Sequence, residues 1–140
     1  NDRLDIAVAA GADGVHLGGH SVDPRTIRNT APEGFIIGVS THNEDEVQAA
    51  IAGGADFITF GPVFFTASKA KYGPPVGLDA LRDVLSAVGR PPVFPLGGIN
   101  EKNLNEVLAL PVRGIAAISL FQNADNLATI VETIHSHAEQ

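Results

Sequence analysis

Five short apolar runs, each followed by a stretch of helical period, constrain this chain more than any other feature. The runs are Gly14–Leu17, Phe35–Val39, Phe57–Phe60, Pro92–Leu96 and Gly114–Ile118. Most are rich in β-branched or aromatic residues with glycine or proline alongside, the pattern of a strand covered on both faces. Between them Val47, Ala50 and Ile51 stand at i, i+3, i+4, as do Leu81, Val84 and Leu85, and Leu104, Val107 and Leu108. Leu127, Ile130, Val131 and Ile134 extend such a stripe over two turns. The predicted order is a helix followed by five strand–helix units. Short connections in that order force parallel strands and right-handed crossovers.

Boundary signals agree with this order. Asp23 before Pro24 reads as an N-cap with proline at the first helical position. Asn43 with Glu46 three residues on is close to a capping box. Gly11 and the Gly53-Gly54 pair read as helix stops. A weak repeat runs through them: Gly11-Ala12-Asp13 leads into the first apolar run, and Gly54-Ala55-Asp56 leads into the third. Repeated α/β units suit a (β/α)8 TIM barrel or a doubly wound sheet. With no Gly-x-Gly-x-x-Gly after a strand and no P-loop, the barrel is the predicted architecture.

Composition narrows the function classes. With 44% hydrophobic and 18% charged residues, the chain has enough apolar surface to form a core. No apolar run approaches the ~18 residues of a membrane helix, and no signal peptide opens the chain. Nine basic against sixteen acidic residues, net −7, argue against nucleic-acid binding. The lack of cysteine excludes thiol chemistry and fits a cytoplasmic setting. A chain that opens Asn1-Asp2-Arg3 and contains no methionine is expected to be a fragment.

The polar residues of interest fall just after the predicted strands, the end at which barrels build active sites. Ser40, Thr41 and His42 follow the second run. A sixteen-residue stretch, Gly61–Val76, follows the third and carries Thr66, Ser68 and Lys69. A βα loop usually has about 2–6 residues, so this one reads as a binding loop or lid. Gly97-Gly98 follows the fourth run, before a helix expected to start near Asn100, and Ser119 follows the fifth. In a barrel the last two such loops commonly hold a phosphate on bare backbone N–H groups. Lys69 with two hydroxyls suits an oxyanion, and the alternative is a solvated loop tip. His42 suits proton transfer, or a hydrogen bond to the adjacent helix. Asp2 suits Mg²⁺ beside a diphosphate, or a helix cap. His16, inside a strand, is expected to fill a layer of the barrel.

Taken in order, these residues resemble the thiamine-phosphate synthase family. The resemblance runs through Asn1-Asp2-Arg3, Gly14-Val15-His16-Leu17-Gly18, Gly38-Val39-Ser40-Thr41-His42, Phe60-Gly61-Pro62-Val63-Phe64, Thr66-Ala67-Ser68-Lys69 and Gly97-Gly98-Ile99. It implies an enzyme, a transferase that joins hydroxymethylpyrimidine diphosphate to thiazole phosphate and releases diphosphate. By the same resemblance Asn1 and Ser40 would touch the pyrimidine diphosphate, and Asp2 would hold Mg²⁺. Lys69 would neutralise the diphosphate, and Thr66 and Ser68 would contact the thiazole substrate. Gly98, Ile118 and Ser119 would bind its phosphate. The partners implied are small-molecule phosphates and diphosphates, with a homo-oligomer among the expected states.

Two features qualify the resemblance. The family's second metal carboxylate is replaced here by Ser21, within Gly18-Gly19-His20-Ser21. The family's sister branch, the thiazole tautomerases, uses a histidine at the position of His42. The alternatives are therefore a metal-free tautomerase acting through His42, or a non-catalytic remnant that binds phosphate. Residues 1–140 are expected to form the C-terminal two-thirds of one barrel domain, with about five of eight strands, the fourth to the eighth. Such a piece, with two open sheet edges, is expected to be poorly soluble and inactive by itself.

Overall fold

In the computed structural model, which describes residues 1–123 and 125–138, four parallel strands form one sheet in the order β1-β2-β3-β4. They are β1 (Gly14–Leu17), β2 (Ile36–Thr41), β3 (Phe57–Phe60) and β4 (Val93–Pro95). The helices are α1 (Leu4–Ala9), α2 (Pro24–Thr30), α3 (Glu44–Ala52), α4 (Gly77–Ala87), α5 (Leu104–Leu108), α6 (Ser119–Asn123) and α7 (Leu127–Ala138). A 3-10 helix, Ala67–Tyr72, lies within the long loop. Among the described residues no helix is long and apolar enough to cross a membrane.

The sheet is asymmetric. Val15, Leu17, Ile37, Val39, Ile58, Phe60 and Val93 are buried in one core with Ile27, Val47, Leu81, Val84 and Val107 from the helices. The alternate positions, His16, Gly38, Ser40, Phe57, Thr59 and Phe94, share the other face, as the period of two requires. His16, Ser40, Phe57 and Phe94 there are only half-buried. The strands thus have one face covered by helices and one face partly open, where the sequence suggested cover on both.

The helix boundaries follow their signals. The Asp23 carboxylate accepts from the N–H groups of Arg25 and Thr26, with Pro24 at the first helical position. At both copies of the Gly-Ala-Asp repeat the preceding helix ends in a Schellman motif. Gly11 N–H donates to Val8 and Ala12 N–H to Ala7, while Gly54 N–H donates to Ile51 and Ala55 N–H to Ala50. Gly11 and Gly54 take the left-handed conformation (φ 67° and 86°) that the motif requires.

Three further expectations change. The run Gly114–Ile118 forms no strand; it makes a single parallel bridge, Leu96 to Ala116. Two neighbours account for this. Pro95 has no N–H to offer the run one step before the bridge, and Gly97 and Gly98 (φ 96° and 67°) turn the chain away one step after it. The helix expected near Asn100 begins instead at Leu104. Asn103 Oδ1 accepts the Asn100 N–H and Asn100 Oδ1 accepts the Lys102 N–H, which makes a side-chain-bonded turn ahead of the helix. Leu127 is 45% exposed, so the buried stripe of α7 starts at Ile130.

Candidate functional site

Parallel strands put all their C-terminal ends on one side, and there the structure has a cleft of about 520 Å³. Ser40, Thr41 and His42 line it from the end of β2, and Thr59, Gly61 and Pro62 from β3 and the turn that follows. Thr66, Ser68 and Lys69 come from the long loop, Leu96 to Ile99 from the end of β4, and Ala117, Ile118 and Ser119 from the segment before and at the start of α6. Gly18 and Gly19 close the cleft on the β1 side.

Backbone bonds fix the loop positions. Val63 and Phe64 N–H donate to the carbonyls of Leu96 and Gly97, while Val76 and Gly77 N–H donate back to Pro62 and Val63. Both ends of the long loop are therefore tied near β3 and β4, and its middle lines the cleft. A Cβ at Gly98 would lie 2.6 Å from the Phe65 carbonyl oxygen and 2.7 Å from that of Phe64, so the two loops can meet only at a glycine. The Gly98 carbonyl accepts from the side-chain amides of Asn100 (3.1 Å) and Asn103 (3.0 Å). In the long loop the Thr66 and Ser68 hydroxyls lie 3.2 Å apart.

Of the ten residues singled out by sequence, eight line this cleft: Ser40, His42, Thr66, Ser68, Lys69, Gly98, Ile118 and Ser119. Asn1 and Asp2 stand outside the lining. Asp2 is nonetheless tied to the rim, because its Oδ1 accepts from Ser21 Oγ and from the N–H of Gly18 (3.4 Å). Its own N–H donates to the His16 carbonyl at 3.0 Å, and its φ of 64° is the left-handed region that non-glycine residues seldom enter. The Ser21 hydroxyl bond, then the Gly18 N–H, holds the Asp2 carboxyl below its ordinary range against an opposing pull from desolvation.

The donor set bears on a metal. Among the described residues no three His, Asp or Glu side chains converge. One carboxylate with a hydroxyl beside it suits Mg²⁺, which is often held by a single carboxylate when phosphate oxygens complete its shell.

The His42 ring is tied to the helix that follows it. Its Nδ1 lies 3.0 Å from Glu46 Oε2, which also accepts the His42 N–H at 2.8 Å. The ring thus makes the expected hydrogen bond to the adjacent helix while staying half-exposed and lining the cleft.

Thr59 and His16 were missed. Thr59 pairs with Ser40 across the sheet, and their hydroxyls are 3.1 Å apart. Inside a strand His16 is expected to pack, yet its Nε2 lies 2.8 Å from Ser40 Oγ. Alternation places all three side chains on the open face, but only the register between strands shows that they touch.

Comparison with known proteins follows the same outline. The family described as thiamine monophosphate synthase matches residues 1–121. The thiamine-phosphate synthase of Methanocella arvoryzae is 44% identical over 140 residues, which is 100% of this chain and 66% of the relative. That of Methanoregula boonei is 46% identical over 119 residues, 85% of this chain and 55% of the relative. Among solved structures, thiamine phosphate pyrophosphorylase from Pyrococcus furiosus superposes with a TM-score of 0.80 at 36% identity, over 99% of this chain and 65% of that one. The chain thus spans between about half and two-thirds of the length of these relatives.

Proposed function

The chain belongs to the thiamine monophosphate synthase family, and on that premise we propose that the protein couples hydroxymethylpyrimidine diphosphate to thiazole phosphate, giving thiamine phosphate and diphosphate. The observation that carries this reading is the gathering of Ser40, Thr66, Ser68, Lys69, Gly98, Ile118 and Ser119 around one cleft. The four strands would be consecutive strands of a (β/α)8 barrel, with residues 1–140 in one barrel domain and the open sheet face turned to its interior.

In this reading Asn1 and Ser40 contact the pyrimidine substrate. Thr66 and Ser68 meet the thiazole, and Gly98, Ile118 and Ser119 hold its phosphate. The carbon–oxygen bond to diphosphate breaks first, and the electron pair leaves with the diphosphate. The thiazole nitrogen then supplies the pair for the new carbon–nitrogen bond. Charge collects on the leaving group, so the useful contribution is a fixed cation beside it. Lys69, which lines the cleft, would be that cation. Asp2 would hold Mg²⁺, which when bound neutralises the diphosphate.

Supplying both substrates with Mg²⁺ to the full-length protein tests this. Thiamine phosphate and diphosphate are expected in equal amounts, and absence of diphosphate would overturn it.

A second reading rests on the His42–Glu46 contact. A carboxylate on Nδ1 fixes the tautomer that leaves Nε2 free to take a proton, as a thiazole phosphate tautomerase would require. Thiazole isomerisation that survives His42→Ala would exclude it.

A further inference from the structure

The open face of the sheet carries a short hydrogen-bonded chain that leads to the cleft. Register places Gly38 beside both His16 and Phe57, and Ser40 beside Thr59. A Cβ at Gly38 would lie 2.2 Å from Phe57 Cζ and 2.6 Å from His16 Nδ1, so the two rings can close over the strand only because this position is glycine. Their centroids are 5.6 Å apart. Held by Phe57 on one side, the imidazole reaches one step along the strand, and its Nε2 meets Ser40 Oγ at 2.8 Å. On its other side Ser40 Oγ meets Thr59 Oγ1 at 3.1 Å. Thr59 is buried.

We infer that His16 is a positioning residue: with Thr59 it fixes the Ser40 hydroxyl so that one hydrogen-bonding direction of Ser40 remains for a ligand atom in the cleft. A serine hydroxyl has one proton and two lone pairs. His16 and Thr59 occupy two of these three, both along the sheet face. Ser40 also lines the cleft, so the third is left for a ligand there. Left without its partners the hydroxyl would rotate among its staggered positions, and a ligand would have to order it on binding. The ring stack over Gly38 is what keeps the imidazole from turning away. The inference rests on the proposed function only for the identity of the ligand, the pyrimidine substrate.

The test uses the full-length protein and three variants. His16→Phe keeps a ring against Phe57 and removes the nitrogen. His16→Gln returns a polar group at similar reach, and Ser40→Ala removes the hydroxyl. His16→Phe and Ser40→Ala should each raise the KM for the pyrimidine diphosphate by about tenfold, the usual scale of one hydrogen bond, and leave the KM for thiazole phosphate unchanged. The double variant should be no worse than Ser40→Ala alone, and His16→Gln should recover most of the loss. Multiplying losses in the double variant, or a His16→Phe protein with wild-type KM, would overturn the inference. A readout free of turnover stands beside these: the ¹⁵N resonance of His16 Nε2 should shift in Ser40→Ala, and an unmoved resonance would also overturn it. If the wild type makes no thiamine phosphate while that resonance shifts, the functional reading fails and the positioning of Ser40 stands. Thermal melts within a few degrees of wild type identify the variants as folded.

Discussion

Glu46 Oε2 accepts both the His42 N–H, at 2.8 Å, and a hydrogen bond with His42 Nδ1, at 3.0 Å. The other oxygen of the same carboxylate accepts from the Asn43 side-chain amide at 2.8 Å, and Asn43 Oδ1 accepts the Glu46 N–H at 2.9 Å. The Glu46 carboxylate thus ties His42 to the start of α3, while the cap itself is the Asn43 side chain on the Glu46 N–H. Asn43→Ala should cost about 1 kcal/mol, the usual value of a cap, read as a shift in the urea midpoint. A variant as stable as wild type would show that the cap contributes nothing.

Asp56 and Asp13 occupy the same place in the two copies of the repeat and differ in what they hold. Asp56 Oδ2 accepts the Ile37 N–H at 2.7 Å and an Arg28 guanidinium N–H at 2.5 Å. Asp13 supplies only its carbonyl, to the Ile36 N–H at 2.9 Å, and any residue would do the same. Asp56→Ala should therefore destabilise by about 1–3 kcal/mol, because it strands a β2 amide. Asp13→Ala should stay within about 0.5 kcal/mol of wild type. Chemical denaturation of the two variants side by side separates them, and equal losses would contradict the contrast.

Gly98 combines a left-handed backbone with backbone oxygens closer than 3 Å to any added Cβ. Gly98→Ala should cost about 2 kcal/mol or more and weaken binding of thiazole phosphate. Gly89→Ala is the control, since nothing lies within 4 Å of its Cβ position. Calorimetric melts and titration with thiazole phosphate read both effects, and equal stability of the two variants would refute the close-approach argument.

Burial pushes His16 below its ordinary 6.5, against a smaller upward pull from Asp2. The unfolded chain then takes up a proton as the pH falls through 6.5, and the folded protein does so only at lower pH. His16 therefore contributes a stability that is fully present above that value and declines below it. Between about pH 7.5 and about pH 5.5 the wild type should lose more stability than His16→Phe, measured by urea midpoints. Parallel pH profiles for the two proteins would show that His16 does not titrate this way.

Much of this was legible in the sequence because it is local. Asp23-Pro24, Asn43 with Glu46, and the glycines at positions 11 and 54 act within one turn, and each marks the helix boundary found. The cleft residues were legible for a topological reason, since parallel strand–helix units bring every strand C-terminus to one side. What depends on pairing between strands was not. The run at Gly114–Ile118 reads like its predecessors, yet between Pro95 and the turn at Gly97-Gly98 it makes one bridge. His16 reads as an interior packing residue until the β1–β2 register carries Ser40 to its Nε2. The Asp2–Ser21 contact spans nineteen positions in sequence, and only the resemblance, which sets Ser21 where the family has its second metal carboxylate, points to it.

On the proposed function, this cleft would supply the charge that lets diphosphate leave, with Lys69 as the cation. The direct measurement is the steady-state rate of diphosphate release from both substrates by the full-length protein and by Lys69→Ala. Release should be equimolar with thiamine phosphate in the wild type, and kcat should fall by about a hundredfold in the variant. Wild-type release rates in Lys69→Ala would contradict it.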